Sequence, residues 1–457
     1  MKELTLKQIA DWCGGTVAPE YETVPVTGVE SDSRKVEVGD LFVALRGERV
    51  DGHDFIPSAK TLGASAALVS RPSEELPCVV VESPLRAYGE IAKHYREMTG
   101  VKVVGITGSV GKTTTKEMIA SVLSRDFKLY KSEGNHNNEI GLPMTVMNMP
   151  EDTELLVAEM GTNHPGEIAY LSAIAQPDYA VITNIGIAHI EYLGSREGIL
   201  REKLDILRSS LKNTVGIFNG DEPLLWNVRD KGTHKKYYFG IDNPSCDVVA
   251  SGIQELDDGM RFHVSGFHHE FELFVPALGR HMVYNALAAA TVGLAMGVKP
   301  ETIQNELSIF RNTGMRQKIY EKNGMTIIED CYNAGPESTE AALGVLASVK
   351  TSGKRIAVLG DMLELGNRSS AEHYRIGRIA AQKADLLLTY GAHSVRTVTG
   401  AITGGMSPKN AEHFDTHEDL VRMLKMRAGE ADVILFKGSR GMKMERVLQM
   451  FLDDHEA

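Results

Sequence analysis

The chain has 457 residues, 42% of them hydrophobic, and a formal charge of −12 from 49 Lys and Arg against 61 Asp and Glu. At roughly 150 residues per domain the length predicts about three domains, and the apolar fraction is too high for a disordered chain. The acidic balance argues against a general nucleic-acid binder, which needs a basic surface, and four cysteines without a CxxC pair argue against a zinc ribbon or a disulfide framework.

In chain order, Met1 to Thr5 carries Glu3 early and leads into no apolar signal segment, and no apolar run reaches the ~18 residues of a membrane span. A cytoplasmic protein is expected. Residues 1–98 hold the more polar strands and several turn signals. From residue 99 onward, short apolar runs alternate with helix-period segments. They are 101–106, 155–158 and 179–183, then 326–329, 356–359, 386–389 and 432–436. Such strands, separated by helices, predict parallel α/β sheets buried on both faces. The stretch 237–276, richer in aromatics and alternating polarity, predicts a small antiparallel insert. The expected domains are 1–98, 99–313 and 314–457: a mixed α/β domain, a parallel-sheet domain with that insert, and a Rossmann-like domain.

The strongest local signal is Gly105-Ile106-Thr107-Gly108-Ser109-Val110-Gly111-Lys112-Thr113-Thr114. It follows an apolar strand and precedes a segment with Met118, Ile119, Val122 and Leu123 on one helical face. Strand, glycine loop and helix form the context of a phosphate-binding loop. Its amides and the helix N-terminus favour an anion. Lys112 would neutralise β- and γ-phosphates, and the Thr113 hydroxyl would bind Mg²⁺. Ile106 stands where the strict pattern has glycine. The next strand ends in Glu159 rather than in the Asp that switch GTPases and motor ATPases place there.

In open parallel sheets, ligands bind beyond the carboxyl ends of the strands. Glu159, Asn184, His189, Asp330, Asp361 and Lys437 all fall at such ends. Helix caps also sit there, so it is their joint recurrence that points to a site. Lys203 lies in the helical segment 199–208, on the face of Ile199, Leu200, Leu204, Ile206 and Leu207, with Arg201, Glu202, Asp205 and Arg208 opposite. A buried lysine costs free energy unless paired, neutralised or modified. Either its stem snorkels to a cleft, or it is neutral enough to react with CO₂ and offer carbamate oxygens to a hard cation. Asn135, Asn137 and Asn138 make a polar loop, readable as a turn or as a ligand contact.

These residues together resemble the Mur ligases, ATP-dependent amide-forming enzymes of peptidoglycan precursor synthesis, over essentially the whole chain. The loop 107–113, Gly134–Gly141, Glu159–Ile168, Tyr332–Ser338, Gly360–Gly366 and Lys437–Arg440 all resemble family segments, several of them those of the D-alanyl-D-alanine-adding branch. Ser31–Arg34 and Asp51–His53 look like its UDP-sugar-binding domain. The resemblance implies ATP and two Mg²⁺ ions as cofactors, with UDP-N-acetylmuramoyl-tripeptide and D-alanyl-D-alanine as substrates. It implies an N-terminal domain for the UDP-sugar, a central ATPase domain and a C-terminal domain for the dipeptide. Gly108, Ser109, Gly111, Lys112, Thr113 and Thr114 would hold the ATP phosphates, Asn285 the adenine, Arg316 a phosphate and Asp330 the ribose. Thr113 and Glu159 would serve one metal, His189 and carbamylated Lys203 the other; Lys112, Glu159, His189 and Lys203 are the expected catalytic set. Ser33, Arg34, Asn135, Asn137, Asn138, Asn333, Lys437, Ser439 and Arg440 would contact substrates. A monomer without nucleic-acid or membrane partners is expected. The rivals are another ligase of the family, such as the diamino-acid-adding one, a P-loop regulatory ATPase, and a non-catalytic sugar-nucleotide scaffold. The only Asp-Asn-Pro string, Asp242-Asn243-Pro244-Ser245, reads as a turn.

Overall fold

The structure is a computed structural model that describes residues 1–47, 49–208, 213–312 and 314–453. Thr313, at the expected second boundary, and residues 454–457, at the end of the expected third domain, lie outside the described residues.

Three larger sheets follow one another along the chain. In the first, β1 (Gly28–Glu30), β2 (Asp40–Val43), β3 (Ala66–Val69) and β4 (Cys78–Val80) pair in parallel in that order. The short strand Thr16–Val17 closes antiparallel onto β4. Helix α1 (Pro84–Thr99) follows. Pro84 takes its first position, Ser83 Oγ accepts from Arg86 N at 3.4 Å, and Gly100, at φ +66, ends it. These are the ordinary start and stop devices of a helix. The boundary expected at 98 falls in the last turn of α1.

The second sheet has nine strands. Its parallel part comprises β5 (Lys102–Thr107), β6 (Leu129–Lys131), β7 (Leu155–Glu159), β8 (Tyr179–Ile182), β9 (Val215–Asn219) and β10 (Lys236–Gly240). All five residues of β7 are buried, as a strand covered on both faces requires. The helices that matter for the site are α2 (Lys112–Leu123), α3 (Gly141–Met147), α4 (Glu167–Ala175), α5 (Arg196–Arg208) and α6 (Arg280–Ala295). Helix α1 packs on α3 and α4 through buried Tyr88, Ile91, Ala92 and Tyr95, so the first sheet is tied to the second by a shared apolar cluster. β5 pairs with β7 on one side and β8 on the other. The chain leaves β5 in both directions across the sheet, which opens a crevice at the carboxyl ends of these three strands.

The antiparallel insert is smaller than 237–276. β10 runs parallel to β9, and antiparallel pairing is confined to β11 (Val248–Leu256), β12 (Gly259–Gly266) and β13 (His269–Val275). These strands extend the central sheet instead of standing apart from it. Their alternating burial is that of a sheet packed on one face. The aromatics of β10, Tyr237, Tyr238 and Phe239, give a similar local signal, but the strand pairs with its neighbours in parallel.

The third sheet begins with the hairpin β14 (Lys318–Lys322) and β15 (Met325–Asp330). The parallel strands β16 (Arg355–Gly360), β17 (Leu386–Tyr390), β18 (Ala411–Phe414) and β19 (Val433–Lys437) complete it, in the order β14-β15-β19-β16-β17-β18. Helix α7 (Pro336–Ser348) covers one face. The carboxyl ends of β15, β16 and β19 turn toward the crevice of the second sheet. The α/β class and parallel strands expected from the apolar runs are therefore present, the strands within a residue or two of the runs.

Candidate active site

A cavity of about 970 Å³ lies between the second and third sheets. Its floor is the phosphate loop. Gly108 has φ +153, and a Cβ there would stand 1.8 Å from Thr183 Oγ1; Gly111 has φ +83, and its Cβ would stand 2.7 Å from Asn285 Oδ1. Both glycines are therefore required by close approach and backbone angle together. The loop is fastened to the end of β8. Asn184 Oδ1 accepts from Ser109 N at 3.1 Å and from Val110 N at 3.0 Å, and Thr183 Oγ1 donates to Val110 O at 2.6 Å. Gly186 N donates to Ser109 Oγ at 2.9 Å. Thr114 and Asn285 line the cavity on the α2 and α6 sides, and Thr115 Oγ1 donates to Asn285 Oδ1 at 3.2 Å.

Lys112 Nζ donates to Gly108 O at 2.9 Å. Burial holds its pKa below the ordinary lysine value; Glu159 opposes the shift and Arg316 adds to it. Thr113 Oγ1 donates to Glu159 Oε2 at 2.8 Å, and Asn137 Nδ2 donates to Glu159 Oε1 at 2.9 Å. The expected pair Thr113 and Glu159 is thus side by side. Asn135 and Asn138 also line the cavity. Asn138 Oδ1 accepts from Gly141 N at 2.9 Å, starting α3, and Asn135 O accepts from Asn137 N at 2.7 Å. The loop is a built turn whose asparagines face the cavity.

Lys203 is 2% exposed, on α5, behind the lining residues. Burial pushes its pKa well below the ordinary value; nearby Lys112 lowers it further and Glu202 opposes. Glu202 corrects the helical-face reading. It was expected on the polar face with Arg201, yet it is 4% exposed. Its carboxylate accepts from Gly166 N at 2.7 Å, Ile168 N at 2.8 Å and Thr162 Oγ1 at 3.1 Å. A carboxylate from a neighbouring helix thus satisfies the open amides that begin α4. A single-helix projection cannot show a partner that arrives from another helix.

The roof comes from the third sheet. Asp330 Oδ2 accepts from Lys437 Nζ at 2.6 Å, Lys437 also donates to Asn333 O at 3.0 Å, and Asp330 Oδ1 accepts from Gln317 N at 3.3 Å. The ammonium of Lys437, 2% exposed, is therefore committed to the protein. Arg316 lies over the Tyr332 ring at 4.0 Å. Asn333 Oδ1 accepts from Ala334 N at 2.9 Å. Ser439 Oγ donates to Ala334 O at 3.1 Å and accepts from Leu363 N at 2.9 Å. Arg440 pairs with Glu445 at 2.9 Å. His189, at φ +59 in the loop after β8, has Nδ1 2.5 Å from Glu364 Oε2. Gln317 Oε1 meets His281 Nε2 at 2.8 Å, and burial keeps that imidazole below its ordinary pKa.

One cavity thus gathers Ser109, Gly111, Lys112, Thr113, Thr114, Glu159, His189 and Asn285 with Arg316, Asp330, Asn333, Lys437, Ser439 and Arg440. Gly108 and Lys203 sit just behind its wall. Ser33 and Arg34 do not reach it. Arg34, its side chain 85% exposed, grips Asp32 with two hydrogen bonds, at 2.8 and 2.7 Å, and holds that carboxyl down at about 2. The N-terminal part of the chain instead reaches the cavity through Arg86 of α1, whose guanidinium lies 4.4 Å over the Tyr170 ring. Sequence reading assigns no role to Arg86 or Gln317, which carry no local signal. Nor does it assign one to Glu337 and Glu364, although both stand in segments that carry the resemblance.

Family profiles match in succession: "Mur ligase family, catalytic domain" over residues 25–108, "Mur ligase middle domain" over 106–293, and "Mur ligase, glutamate ligase domain" over 315–440. A UDP-N-acetylmuramoyl-tripeptide–D-alanyl-D-alanine ligase of Bacillus subtilis is 41% identical over 99% of both chains, and one of Escherichia coli is 35% identical over 98% of both. A crystal structure of MurF from Acinetobacter baumannii superposes with a TM-score of 0.91 at 32% identity, covering 99% of each chain. MurF ligase from Thermotoga maritima in complex with ADP superposes at 0.83 with 31% identity, over 94% of this chain and 98% of that one.

Proposed function

The chain belongs to the Mur ligase family, and from that premise we propose that it joins the terminal carboxylate of UDP-N-acetylmuramoyl-tripeptide to the amine of D-alanyl-D-alanine, with ATP converted to ADP and phosphate. It is an ATP-dependent ligase of peptidoglycan precursor synthesis. The observation that carries the reading is the single cavity in which the phosphate loop faces Arg316 and Asp330 of the third sheet. At about 970 Å³ it is at the upper end of small-molecule sites, as a reaction of several substrates needs.

The tripeptide carboxylate attacks the γ-phosphorus and ADP leaves, giving an acyl phosphate. The dipeptide amine then attacks the acyl carbon, loses a proton, and phosphate departs. Both partners in the first step are anionic. Lys112, the loop amides and Arg316 oppose their repulsion by fixed positive charge. Asn285 would contact the adenine and Asp330 the ribose. The asparagines at 135, 137, 138 and 333, with Ser439 and Arg440, would orient the peptide partners. Ser33 and Arg34 would meet the uridine end, far from the chemistry.

Among the described residues no group of three or more His, Cys, Asp and Glu is placed to hold a metal ion. That leaves no all-protein cage, but Mg²⁺ is commonly held by one or two side chains together with substrate phosphates and water. Thr113 with Glu159 fits one such ion, and His189 with carbamylated Lys203 would hold a second. Bound Mg²⁺ would neutralise phosphate charge. Carbamylation requires a neutral amine, and burial shifts the pKa of Lys203 in the direction that favours one; its Nζ would bond to the carbon of CO₂ and a proton would go to water.

Phosphate release from ATP is expected only with both UDP-muramoyl-tripeptide and D-alanyl-D-alanine present. Equal release without the dipeptide, or with free lysine in its place, would overturn the assignment. Lys203→Ala is expected to lose activity and to regain part of it in short carboxylates; full activity in the unrescued variant would remove the carbamate. No helix among the described residues is long and apolar enough to cross a membrane. The reading has the chain act in the cytoplasm as a monomer.

A further inference from the structure

The loop that carries His189 is gripped from the far side of the cleft. Glu337, in the first turn of α7, accepts from Ile187 N at 3.0 Å. Glu364, after β16, brings Oε2 to 2.5 Å from His189 Nδ1, off the line of an ideal hydrogen bond. Two glycines permit the fit. A Cβ on Gly186 would stand 2.7 Å from Glu337 Oε1, and one on Gly366 would stand 3.3 Å from the Glu191 side chain. All four contacts fall on residues 186–191.

Two features of this grip are costly. His189 is held at φ +59, a left-handed conformation uncommon for residues other than glycine. Glu337 Oε2 is buried without a hydrogen-bond partner, which disfavours folding. Neither feature helps the chain fold. Both make sense if the loop must take one shape when the third sheet closes on the second. Glu364 stands beside Nδ1, which leaves Nε2 as the ring nitrogen for a cation, and a carboxylate behind a metal-binding histidine is a common arrangement.

We propose that Glu337 and Glu364 are positioning residues: their docking sets the backbone at 186–189 and turns His189 Nε2 toward the phosphate site. The half-site for the second metal is therefore complete only when the third sheet is docked. The inference rests on the reading of His189 as a metal-binding residue.

The test uses the full chain and two measurements that need no turnover. One is ADP binding by calorimetry across a Mg²⁺ titration; the other is the radius of gyration by small-angle scattering with ADP and Mg²⁺. Glu337→Ala and Glu364→Ala are each expected to raise the half-saturating Mg²⁺ concentration roughly 10- to 100-fold and to enlarge the radius. Gly186→Ala should reproduce Glu337→Ala, since it displaces the same carboxylate from the opposite side. Glu337→Gln, which keeps an oxygen for Ile187 N, should stay near the parent. Parent-like Mg²⁺ dependence in both alanine variants would overturn the proposal. If Glu337→Ala does not fold, Glu364→Ala, on a partly exposed turn, decides alone. His189→Ala with unchanged Mg²⁺ dependence would instead remove the metal reading beneath the proposal, whatever the carboxylate variants do.

Discussion

The floor and the roof of the cavity are held by different means. The phosphate loop is fastened to the neighbouring strand by bonds from Asn184, Thr183 and Ser109, and its two glycines sit where no side chain fits. The roof meets the floor through the carboxylates of Glu337 and Glu364, the latter with a side chain 42% exposed, and through Gln317, which bonds His281 Nε2 at 2.8 Å and Leu278 O at 2.7 Å. A loop saturated with internal bonds keeps its shape with or without ligand, which is what electrostatic preorganisation requires. A roof held across a cleft by a handful of contacts, one of them a partly exposed carboxylate, can let go, which is what the entry and exit of large substrates require. Binding of phosphate is thus built in, whereas alignment of the third substrate has to be assembled.

The sharpest break of that contrast is at the floor. Lys112→Ala removes the ammonium proposed to face the phosphates, and with it the bond to Gly108 O, while leaving the Asn184 bonds to the loop in place. Phosphate release is expected to fall roughly 10²- to 10³-fold. Thermal stability should hold or rise, because a half-buried cation with a lowered pKa has been removed. A matching loss of stability would mean that Lys112 is part of the scaffold.

The roof's own frame offers the next largest effect. Lys437→Met leaves Asp330 without its buried cation and is expected to cost about 3 kcal/mol, read as a shift in the urea midpoint. Adding Asp330→Asn should recover part of that loss, since the stranded charge is gone. The floor should be insensitive to both changes, so nucleotide binding by Lys437→Met would fall less than by Lys112→Ala. The reverse ranking would dissolve the distinction between the two halves.

The contrast also explains what the sequence could disclose. Strands β5, β7, β8, β15, β16 and β19 were legible because burial on both faces leaves an unbroken apolar run. The phosphate loop was legible because its glycines, lysine and threonine are contiguous. Asp330, His189 and Lys437 were legible as polar residues at strand ends. Glu202 was not, because it serves the start of another helix, and its place on a wheel of its own helix misled. Glu337 and Glu364 were not, because their partners lie 150 and 175 positions away by residue number, and no local pattern marks an acid that crosses a cleft. Ser33 and Arg34 show the converse: a recognisable segment whose side chains stand apart from the cavity.

The smallest expected effect concerns the turn that presents Glu364. His373, on the helix Ser369–Lys383, is buried and donates from Nδ1 to Ser369 O at 2.7 Å, while its Nε2 accepts from Met362 N at 3.0 Å. The ring is therefore neutral, and protonating Nε2 would break its bond to the turn. Burial pushes its pKa below the ordinary value; the Ser369 carbonyl and Asp361 oppose that shift and His393 adds to it. The native state thus binds this proton less readily than the unfolded chain. Its contribution to stability is complete above the unfolded value of about 6.5, and is lost as pH falls below that value toward the folded one. His373→Gln removes the titration. The parent should lose stability faster than the variant as pH drops from neutral into the acid range, with exchange of the Met362 amide accelerating in the parent alone. Parallel stability curves would show that the imidazole is not what ties the Glu364 turn down, and the roof's acid sensitivity would then have to come from its surface carboxylates.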